Sequence, residues 1–499
     1  MPETAYRFKF SDMKKCPSAL NYWDIDMIVR YSDVLPPQVD LRTNVTRHVS
    51  ISIPILSAAM DNVTESEMAI KLGLLGGIGV IHKSNTPSEQ AEMVRKVKRY
   101  KQGCITDPIV LSPNDTIDDV IRIKEHNGYK TIPITEDGKT NGKLVGLIKD
   151  TSYTAQRHKG VKISERMLPA SEVLVNRHTI SLEQANDILL ESGRRELIVV
   201  DEENNLHGMY KRADIEKLQE YPNASLIDGR IVVAAAIGGP GNDIKERTEK
   251  LAEAEVDIFC IDTSQGYSRG VGELTIPYLK ENYPKIDVIA GNVDSAEGAD
   301  FLARLGADAI KVGIGPGSIC RTKRNIGGGM PQMTAVYEAA KVADEYKIPV
   351  IADGGIVDIA GDILKAIAAG ASAVMIGGLL AGTEESPGKP ISLKGKPGRY
   401  KEYKGMGSKV AQLAGSASRY FQEGVSKDRI VSHGVVAAIP YKGSVETQIL
   451  HIVDTMKDAM SKYYGCKTIE QLRSGDIEFV TVKRSPPAEP HGLVVMEED

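Results

Sequence analysis

The chain has 499 residues, which exceeds the size of a single hydrophobic core and predicts roughly two or three domains. Its content of 41% hydrophobic and 26% charged residues is that of an ordinary globular protein. The net charge of -5 excludes the globally basic surface of a non-specific nucleic-acid binder, and no apolar run approaches the roughly 20 residues that cross a bilayer. The five cysteines are widely spaced and form neither a disulfide framework nor a metal-binding pattern, and the chain does not begin with an apolar signal segment. We therefore expect a cytoplasmic protein.

A repeating unit recurs along the chain: a short β-branched apolar run, a polar or glycine-rich turn, and an amphipathic segment. Such runs occupy residues 53–59, 78–82, 231–237, 257–262, 287–292, 309–313, 349–353 and 373–377. They are almost wholly apolar, as is typical of parallel strands that are covered on both faces. Helical patterns lie between them, as at 243–254, 295–305 and 358–369. Eight β-then-α units predict an α/β fold of the (β/α)8 TIM-barrel type, with a doubly wound open sheet as the alternative.

The repeat is interrupted by residues 104–223, which contain two similar halves. Each half has a helical pattern opened by Thr-Ile, at 116–117 and 179–180, then two apolar runs separated by an acidic turn. The second half follows the first by about 65 residues, which indicates a pseudo-symmetric α+β module inserted into a barrel loop. The barrel is then formed by residues 1–103 and 224–499.

A second interruption, residues 389–446, follows the last apolar run. It is rich in Gly, Lys and Ser and has little apolar periodicity. Loops of this length are usually functional or disordered, so we expect a mobile flap. A helical pattern at 445–462 and an extended tail close the chain.

Glycine pairs follow the last two apolar runs, at 354–355 and 377–378. In a barrel, these loops lie where phosphate is often bound, because backbone N–H groups approach an anion closely where no Cβ intervenes. Ser318 adds a hydroxyl donor nearby. The alternative is that the glycines only form tight turns.

Cys320 is the cysteine that lies in a glycine-rich loop of the predicted active face, residues 313–332. The neighbouring Arg321, Lys323 and Arg324 favour the nucleophilic thiolate, and the alternative is an inert loop thiol. Thr322 either hydrogen-bonds to a reacting group or caps a turn.

Polar side chains at two further places in the sequence are candidates for binding or catalysis. Asp262 ends an apolar run and either binds a sugar hydroxyl or ring N–H or caps the next helix. Arg419 and Tyr420 lie in the expected flap, where they either activate water when the flap closes or form a solvated pair. His82, at the end of the second run, is expected to be a satisfied residue of the barrel rim.

Several of these segments together resemble IMP dehydrogenase. The matching segments are SAAMD at 57–61, GIGPGSICRT at 313–322, DGGI at 353–356, YKGMGS at 403–408 and SRYF at 418–421. The resemblance covers nearly the whole chain. The insert at 104–223 is similar to the paired CBS (Bateman) module found at the same place in that family. The cysteine loop and YKGMGS are specific to this family and its near relative, GMP reductase.

The resemblance implies a two-step reaction in which IMP becomes XMP. Cys320 attacks C2 of the purine, a hydride leaves for NAD+, and a covalent thioimidate, E-XMP*, remains. The flap then enters the nicotinamide site, where Arg419 acts as base toward water, assisted by Tyr420 and Thr322.

The resemblance also implies ligand-binding residues. For IMP they are Ser57, Met60, Ser318, Asp353, Gly355, Gly377, Gly378, Tyr403, Gly405, Met406, Gly407 and His433. For NAD+ they are Asp262, Asn292 and Gly313, and for a K+ ion they are Gly315, Gly317 and Cys320 with Glu489, Pro490 and His491 of a neighbouring subunit's tail. The family assembles as a homotetramer or octamer, and its CBS pair binds adenine or guanine nucleotides.

The chain also departs from the family pattern. His433 stands where the family has Glu or Gln, Arg321 follows the cysteine where a small or apolar residue is usual, and Lys409 interrupts the usual flap sequence. Two alternatives are therefore a GMP reductase, which deaminates GMP to IMP with NADPH, and a catalytically weakened nucleotide-binding protein. The pair formed by Arg419 and Tyr420 favours the dehydrogenase, because hydrolysis of E-XMP* requires it.

Overall fold

The computed structural model describes residues 7–482, apart from residues 17, 101–104, 106–107, 214, 216–219, 242, 358–359, 421, 423 and 474–476. Two compact units are present. The first comprises residues 1–97, 223–226 and 231–499, and the second comprises residues 98–222 and 227–230. Among the helices described, none combines the length and the apolar character needed to cross a membrane.

Eight parallel strands of the first unit close into a barrel. In chain order they are β1 Ile55–Ser57, β2 Ile78–Ile81, β3 Val233–Ile237, β4 Ile258–Ile261, β5 Asp287–Val293, β6 Ala309–Val312, β7 Val350–Asp353 and β8 Ala373–Ile376. The ring closes where β8 pairs with β1, with Val374 opposite Ile55. Each of the eight predicted runs overlaps one barrel strand. The (β/α)8 prediction is therefore confirmed, and the open-sheet alternative is wrong.

Burial on both faces explains the apolar character of these strands. Every strand residue is buried except Asp353, the last residue of β7. One core cluster inside the barrel includes Leu56, Ala234 and Ile289 from three different strands. Side chains fill the inside of the barrel and helices cover its outside. Polar groups therefore lie at the ends of the strands.

A helix follows each strand. These helices are α1 Ser66–Leu74, α2 Pro87–Arg99, α3 Ile244–Glu253, α4 Ile276–Asn282, α5 Ala296–Arg304, α6 Gln332–Glu345, α7 Ala360–Ala368 and α8 Val445–Lys462. Two of them begin at serine caps: Ser295 accepts from the N–H of Gly298 at 3.2 Å, and Ser444 accepts from the N–H of Glu446 at 3.2 Å. Each of the predicted helical segments, at 243–254, 295–305, 358–369 and 445–462, contains one of these helices.

Further short elements complete the first unit. Strands Arg7–Lys9, Ile25–Met27 and Glu478–Thr481 form an antiparallel sheet, Thr43–Asn44 pairs with Ser50–Ile51, and short helices occupy Thr322–Ile326 and Ile469–Arg473.

The second unit consists of two halves with the same order of elements. The first contains helix Ile117–Asn127 and strands Thr131–Thr135 and Leu144–Lys149, and the second contains helix Leu182–Ser192 and strands Glu196–Val200 and Leu206–Lys211. In each half the two strands pair antiparallel. Each helix ends at a left-handed glycine, Gly128 or Gly193, where a Cβ would be strained.

Residues 389–446 contain regular structure that the sequence did not predict. Strand Tyr400–Lys404 pairs antiparallel with Val436–Pro440. The ammonium of Lys401 is buried and donates to the carbonyls of Thr383 at 2.8 Å and Ser386 at 2.6 Å. This hairpin is therefore anchored to the loop after β8, while the segment between its strands reaches the end of the barrel.

One glycine of β2 tests how tightly α1 packs on the barrel. A Cβ at Gly79 would lie 2.4 Å from the backbone of Ala69. We expect Gly79→Ala to lower the free energy of unfolding by about 1–3 kcal/mol, because backbone must move to admit the methyl group. The control is Gly361→Ala in α7, where a Cβ would meet nothing within 4 Å and the change is neutral or stabilising. Urea unfolding followed by circular dichroism measures both, and equal stability of the two variants would contradict this packing.

Candidate functional site

A cavity of about 440 Å³ opens at the carboxyl ends of the barrel strands. Most of the predicted site residues line it, namely Met60, Asp262, Asn292, Gly313, Gly315, Gly317, Ser318, Cys320, Asp353, Gly355, Gly377, Gly378, Tyr403, Gly405, Met406, Gly407, Arg419, Tyr420 and His433. They come from loops after several strands and from the segment 403–433. The closed barrel brings these loops together because parallel strands end at the same rim.

The remaining predicted residues lie elsewhere. Ser57 is fully buried, and its hydroxyl oxygen is 2.8 Å from that of Thr64, so it supports the rim rather than the cavity wall. Thr322 is buried beside the cysteine. Glu489, Pro490 and His491 lie outside the described residues.

Cys320 is held in a loop that is closed on itself. Its N–H donates to the carbonyl of Gly317 at 3.0 Å, and its Sγ donates to Oγ1 of Thr322 at 3.1 Å. Cys320 also forms an isolated β-bridge with Gly434, and the adjacent N–H of Arg321 donates to the carbonyl of His433 at 2.8 Å. The thiol is therefore fixed against the segment that carries the flap residues.

The cations next to the cysteine are directed elsewhere. Nζ of Lys323 donates to the carbonyl of Met330 at 2.6 Å, and burial lowers the pKa of Lys323. Arg321 and Arg324 are exposed. Within the described residues, the hydrogen-bond partner of the thiol is thus a hydroxyl, not a cation.

A buried lysine that sequence reasoning missed lies beneath the cavity. Lys311, on β6, is fully buried, and its Nζ is 2.9 Å from Asp262, 3.2 Å from Asp353 and hydrogen-bonded to Asn292. Burial alone would lower the pKa of Lys311, but the two carboxylates raise it above its usual value. Lys311 is therefore charged and joins three loops of the rim. The sequence signal that could have identified Lys311 is a single lysine within the apolar run 309–313.

Asn292 is fully engaged by its neighbours. Its Nδ2 donates to the carbonyl of Gly313 at 2.7 Å and to Asp353 at 2.8 Å, while its Oδ1 accepts from Lys311. The amide orientation is thereby fixed by the network.

Arg419 lies at the end of the barrel. Its guanidinium forms an ion pair with Asp262, and its carbonyl accepts from the N–H of Ser264 at 3.0 Å. The preceding Ser418 is hydrogen-bonded by Lys83. Burial alone would lower the pKa of Arg419, but Asp262 raises it above its usual value, so the side chain is charged.

Tyr420 and His433 form a stacked pair, with ring centroids 5.2 Å apart and planes inclined by 10°. Burial raises the pKa of Tyr420 to about 12 and lowers the pKa of His433, so both rings are neutral near pH 7. A Cβ at Gly407 would lie 2.7 Å from the Tyr420 ring, and the carbonyl of Gly407 accepts from the N–H of His433 at 2.7 Å. Only glycine fits beneath this pair.

The two glycine pairs differ in what requires glycine. Gly354 and Gly355 have φ of +85° and +79°, which favour glycine whatever binds there. At Gly377, a Cβ would lie 3.2 Å from the hydroxyl of Tyr403, so the absent side chain leaves room for that hydroxyl. Burial raises the pKa of Tyr403 to about 12, and a hydrogen bond with Ser318 opposes this rise. Hydroxyl donors and glycine backbone thus face one end of the cavity.

Lys442 is a second cation that sequence reasoning missed. It lines the cavity, and its Nζ donates to the carbonyls of Gly378 at 2.9 Å and Leu379 at 3.0 Å. It follows the second strand of the hairpin, and no sequence pattern places it near the loop after β8.

Comparisons with known proteins place this chain in one family. The family described as "IMP dehydrogenase / GMP reductase domain" matches residues 19–492. The inosine-5'-monophosphate dehydrogenase of Bacillus subtilis is 40% identical over 490 residues, covering 98% of each chain. That of Schizosaccharomyces pombe is 43% identical and covers 91% of this chain and 86% of the relative. The crystal structure of GMP reductase from Trypanosoma brucei with guanosine 5'-monophosphate superposes with a TM-score of 0.85 at 32% identity, over 95% of this chain and 97% of that one.

The buried lysine provides a test of the site's construction. We expect Lys311→Met to lower the free energy of unfolding by about 3–5 kcal/mol, because Asp262 and Asp353 lose their shared buried counter-ion. The control is Lys250→Met in α3. Lys250 is partly exposed and pairs with the exposed Glu246, so its loss is expected to change stability by about 0.5 kcal/mol or less. Urea unfolding compares the two, and a Lys311 variant as stable as the control would refute a structural role for the network.

Proposed function

The chain belongs to the IMP dehydrogenase / GMP reductase family, and on that premise we propose that it oxidises IMP to XMP with NAD+. The observation that carries the proposal is that Cys320, Arg419 and Tyr420 border one cavity. A nucleophilic thiol allows covalent capture, and a second set of groups is needed to hydrolyse the product of that capture. Both sets lie within reach of one bound ligand.

In the first step, Sγ of Cys320 forms a bond with C2 of the purine. The thiol proton, which is hydrogen-bonded to Oγ1 of Thr322 at 3.1 Å, is released to solvent as the thiolate attacks. NAD+ supplies, when bound, the acceptor for the hydride that leaves C2. The ring is thereby oxidised and remains attached to Cys320 as the thioimidate E-XMP*.

The residues proposed for NAD+ fit it only when the flap has moved. Asn292 is fully engaged by its neighbours and fixes the floor of the site. Asp262 is paired with Arg419 in this structure, so a cofactor hydroxyl reaches Asp262 only after Arg419 leaves. This competition supports the proposal that cofactor and flap occupy the same place in turn.

In the second step, a water oxygen bonds to C2, the bond from C2 to Sγ breaks, and XMP leaves as the thiol is restored. One N–H of Arg419, on Nε, is buried and has no acceptor among the described residues, so it is free to bind that water. Tyr420 follows it in the chain and keeps its proton near pH 7, because burial raises its pKa to about 12. We propose that this pair positions the water, and that the proton of the water passes to Arg419 only after Arg419 has left Asp262 and lost its own proton.

The substrate groups follow from the same cavity. We propose that the 5'-phosphate lies against Ser318, Gly355, Gly377, Gly378 and Tyr403, and that Asp353 accepts from the ribose hydroxyls. Met60, Gly405, Met406, Gly407 and His433 complete the wall around the purine. His433 takes the place of the acidic or amide side chain usual there.

A monovalent cation is also proposed, held by the carbonyls of Gly315, Gly317 and Cys320. The described residues fit such a cation only in part. The carbonyl of Gly317 already accepts from the N–H of Cys320, and the aliphatic part of Lys323 packs on Gly315. No step is assigned to the cation.

For the second unit, we propose a paired CBS module at residues 104–223 that binds adenine or guanine nucleotides. Its two halves repeat the same order of a helix and two antiparallel strands, which supports a pseudo-symmetric pair of sites. We further propose a cytoplasmic homotetramer or octamer.

GMP reductase is the second candidate function. The superposition on the T. brucei GMP reductase structure, which covers 97% of that chain, favours this function. The dehydrogenase reaction produces reduced nicotinamide, whereas the reductase reaction consumes it. An absorbance rise with IMP and NAD+ supports the dehydrogenase, whereas a fall with GMP and NADPH selects the reductase.

The first mutational test concerns the nucleophile. Cys320→Ala is expected to lower turnover of IMP with NAD+ by about a thousandfold or more while IMP still binds, because covalent capture is lost. Absorbance of the reduced nicotinamide measures turnover, and calorimetry measures binding. The control is Cys16→Ala, a partly buried thiol outside the cavity. Activity retained in the Cys320 variant would remove the proposed nucleophile.

The second mutational test concerns the hydrolytic pair. Arg419→Ala is expected to slow hydrolysis by about 100-fold or more but hydride transfer far less, because the water loses the groups that bind it. Rapid mixing then shows a burst of reduced nicotinamide followed by a slow phase. Arg429→Ala, an exposed position of the same segment, serves as control. Equal slowing of both phases would argue against this role.

A further inference from the structure

Lys442 is a half-buried cation at the end of the cavity where the glycine loop after β8 turns. Burial lowers its pKa, and no carboxylate among the described residues forms an ion pair with it. Its Nζ is instead held by two backbone carbonyls, those of Gly378 at 2.9 Å and Leu379 at 3.0 Å. A desolvated cation without a counter-ion is costly unless an anion joins it.

The charges around the cavity balance without Lys442. Asp262 and Asp353 carry two negative charges, and they are matched by Arg419 and by Lys311 beneath the floor. The charge of Lys442 is therefore left over among the described residues that line the cavity.

The loop that Lys442 holds has free hydrogen-bond donors. In the part of the chain that is described, neither the N–H of Gly378 nor that of Leu379 donates a hydrogen bond, whereas the N–H of Leu380 donates to Gly377 at 3.1 Å. The carbonyl and the N–H of one planar trans peptide point in opposite directions. By holding the carbonyl of Gly378, Lys442 thus sets the direction of the N–H of Leu379.

We propose that Lys442 is a positioning residue for the 5'-phosphate of the substrate, because it orients the N–H of Leu379 and supplies a positive charge that the phosphate offsets. This inference rests on the proposed function, since it takes the substrate to be a nucleoside monophosphate. It adds a charged group to a phosphate site otherwise made of neutral donors, namely backbone amides and the hydroxyls of Ser318 and Tyr403.

A purely structural role is the competing explanation. The N–H of Lys442 donates to the carbonyl of Gly382 at 2.9 Å, so the residue also connects the hairpin to the loop. Loss of such a connection would weaken the binding of every ligand equally. If Lys442 acts on the phosphate, its loss weakens the binding only of ligands that carry the phosphate.

The test compares IMP with inosine, which lacks the phosphate, on the full-length enzyme. The quantity is the ratio of kcat/KM for IMP to kcat/KM for inosine, with the value for inosine taken from the linear range of rate against concentration. For Lys442→Met we expect this ratio to fall about 10- to 100-fold, the size of a lost charge-assisted interaction. The kcat/KM for inosine and the KM for NAD+ are expected to change less than about threefold, and the Tm of the ligand-free enzyme is expected to stay the same.

Three further variants sharpen the comparison. Lys442→Arg keeps the charge and is expected to restore most of the ratio, whereas Lys442→Gln keeps a donor without charge and is expected to behave like the methionine variant. Lys394→Met, an exposed lysine of the segment between β8 and the hairpin, is expected to leave the ratio unchanged.

Two results would overturn the proposal: an equal loss for IMP and inosine, or an unchanged ratio in both the methionine and the glutamine variants. If the wild-type enzyme does not oxidise IMP with NAD+, the proposed function fails by itself. The ratio of IMP to inosine affinity, measured by calorimetry on the same variants, then decides the role of Lys442 separately.

Discussion

The ion network around Lys311 is the interaction on which the site depends. One buried ammonium contacts Asp262 after β4 and Asp353 at the end of β7, while standing on β6 itself. Burying two carboxylates is unfavourable unless a cation lies between them, and burying the cation is unfavourable without the carboxylates. Each group therefore requires the others, and three loops that are far apart in sequence are held at one rim.

Around this fixed floor, the cavity has two chemically different ends. At one end, Cys320 lies beside the segment that carries the stacked rings of Tyr420 and His433, where burial keeps the phenol and the imidazole neutral. At the other end, glycine loops, hydroxyls and Lys442 present donors and positive charge. A ligand with an anionic tail and a planar head matches this polarity, because the tail finds donors and the head finds rings and a thiol.

The sequence predicted the parts of the molecule that local patterns control. Apolar runs and the turns after them placed all eight strands, and a glycine-rich loop singled out Cys320, because burial and backbone conformation leave direct traces in composition. Lys442 and the hairpin at 400–440 were not predicted, because their partners lie in the loop after β8 and only the folded chain brings them together. Ser57, which the resemblance assigned to the substrate, is fully buried against Thr64, and a matching motif does not show whether a side chain at the rim is exposed to the cavity.

Asp262 connects the floor to the flap, because one of its oxygens accepts from Lys311 and the other pairs with Arg419. The same carboxylate that fixes the guanidinium also raises its pKa, so Arg419 in this position holds its proton more firmly than a free arginine does. As a donor it can orient water, and its Nε N–H, which has no acceptor among the described residues, is suited to that. To take a proton from the water it must first lose the stabilisation by Asp262, and the carboxylate remains fixed by Lys311 when it does. In the proposed mechanism, release of Arg419 from Asp262 is therefore the event that both exposes the carboxylate to the cofactor and lowers the pKa of the guanidinium.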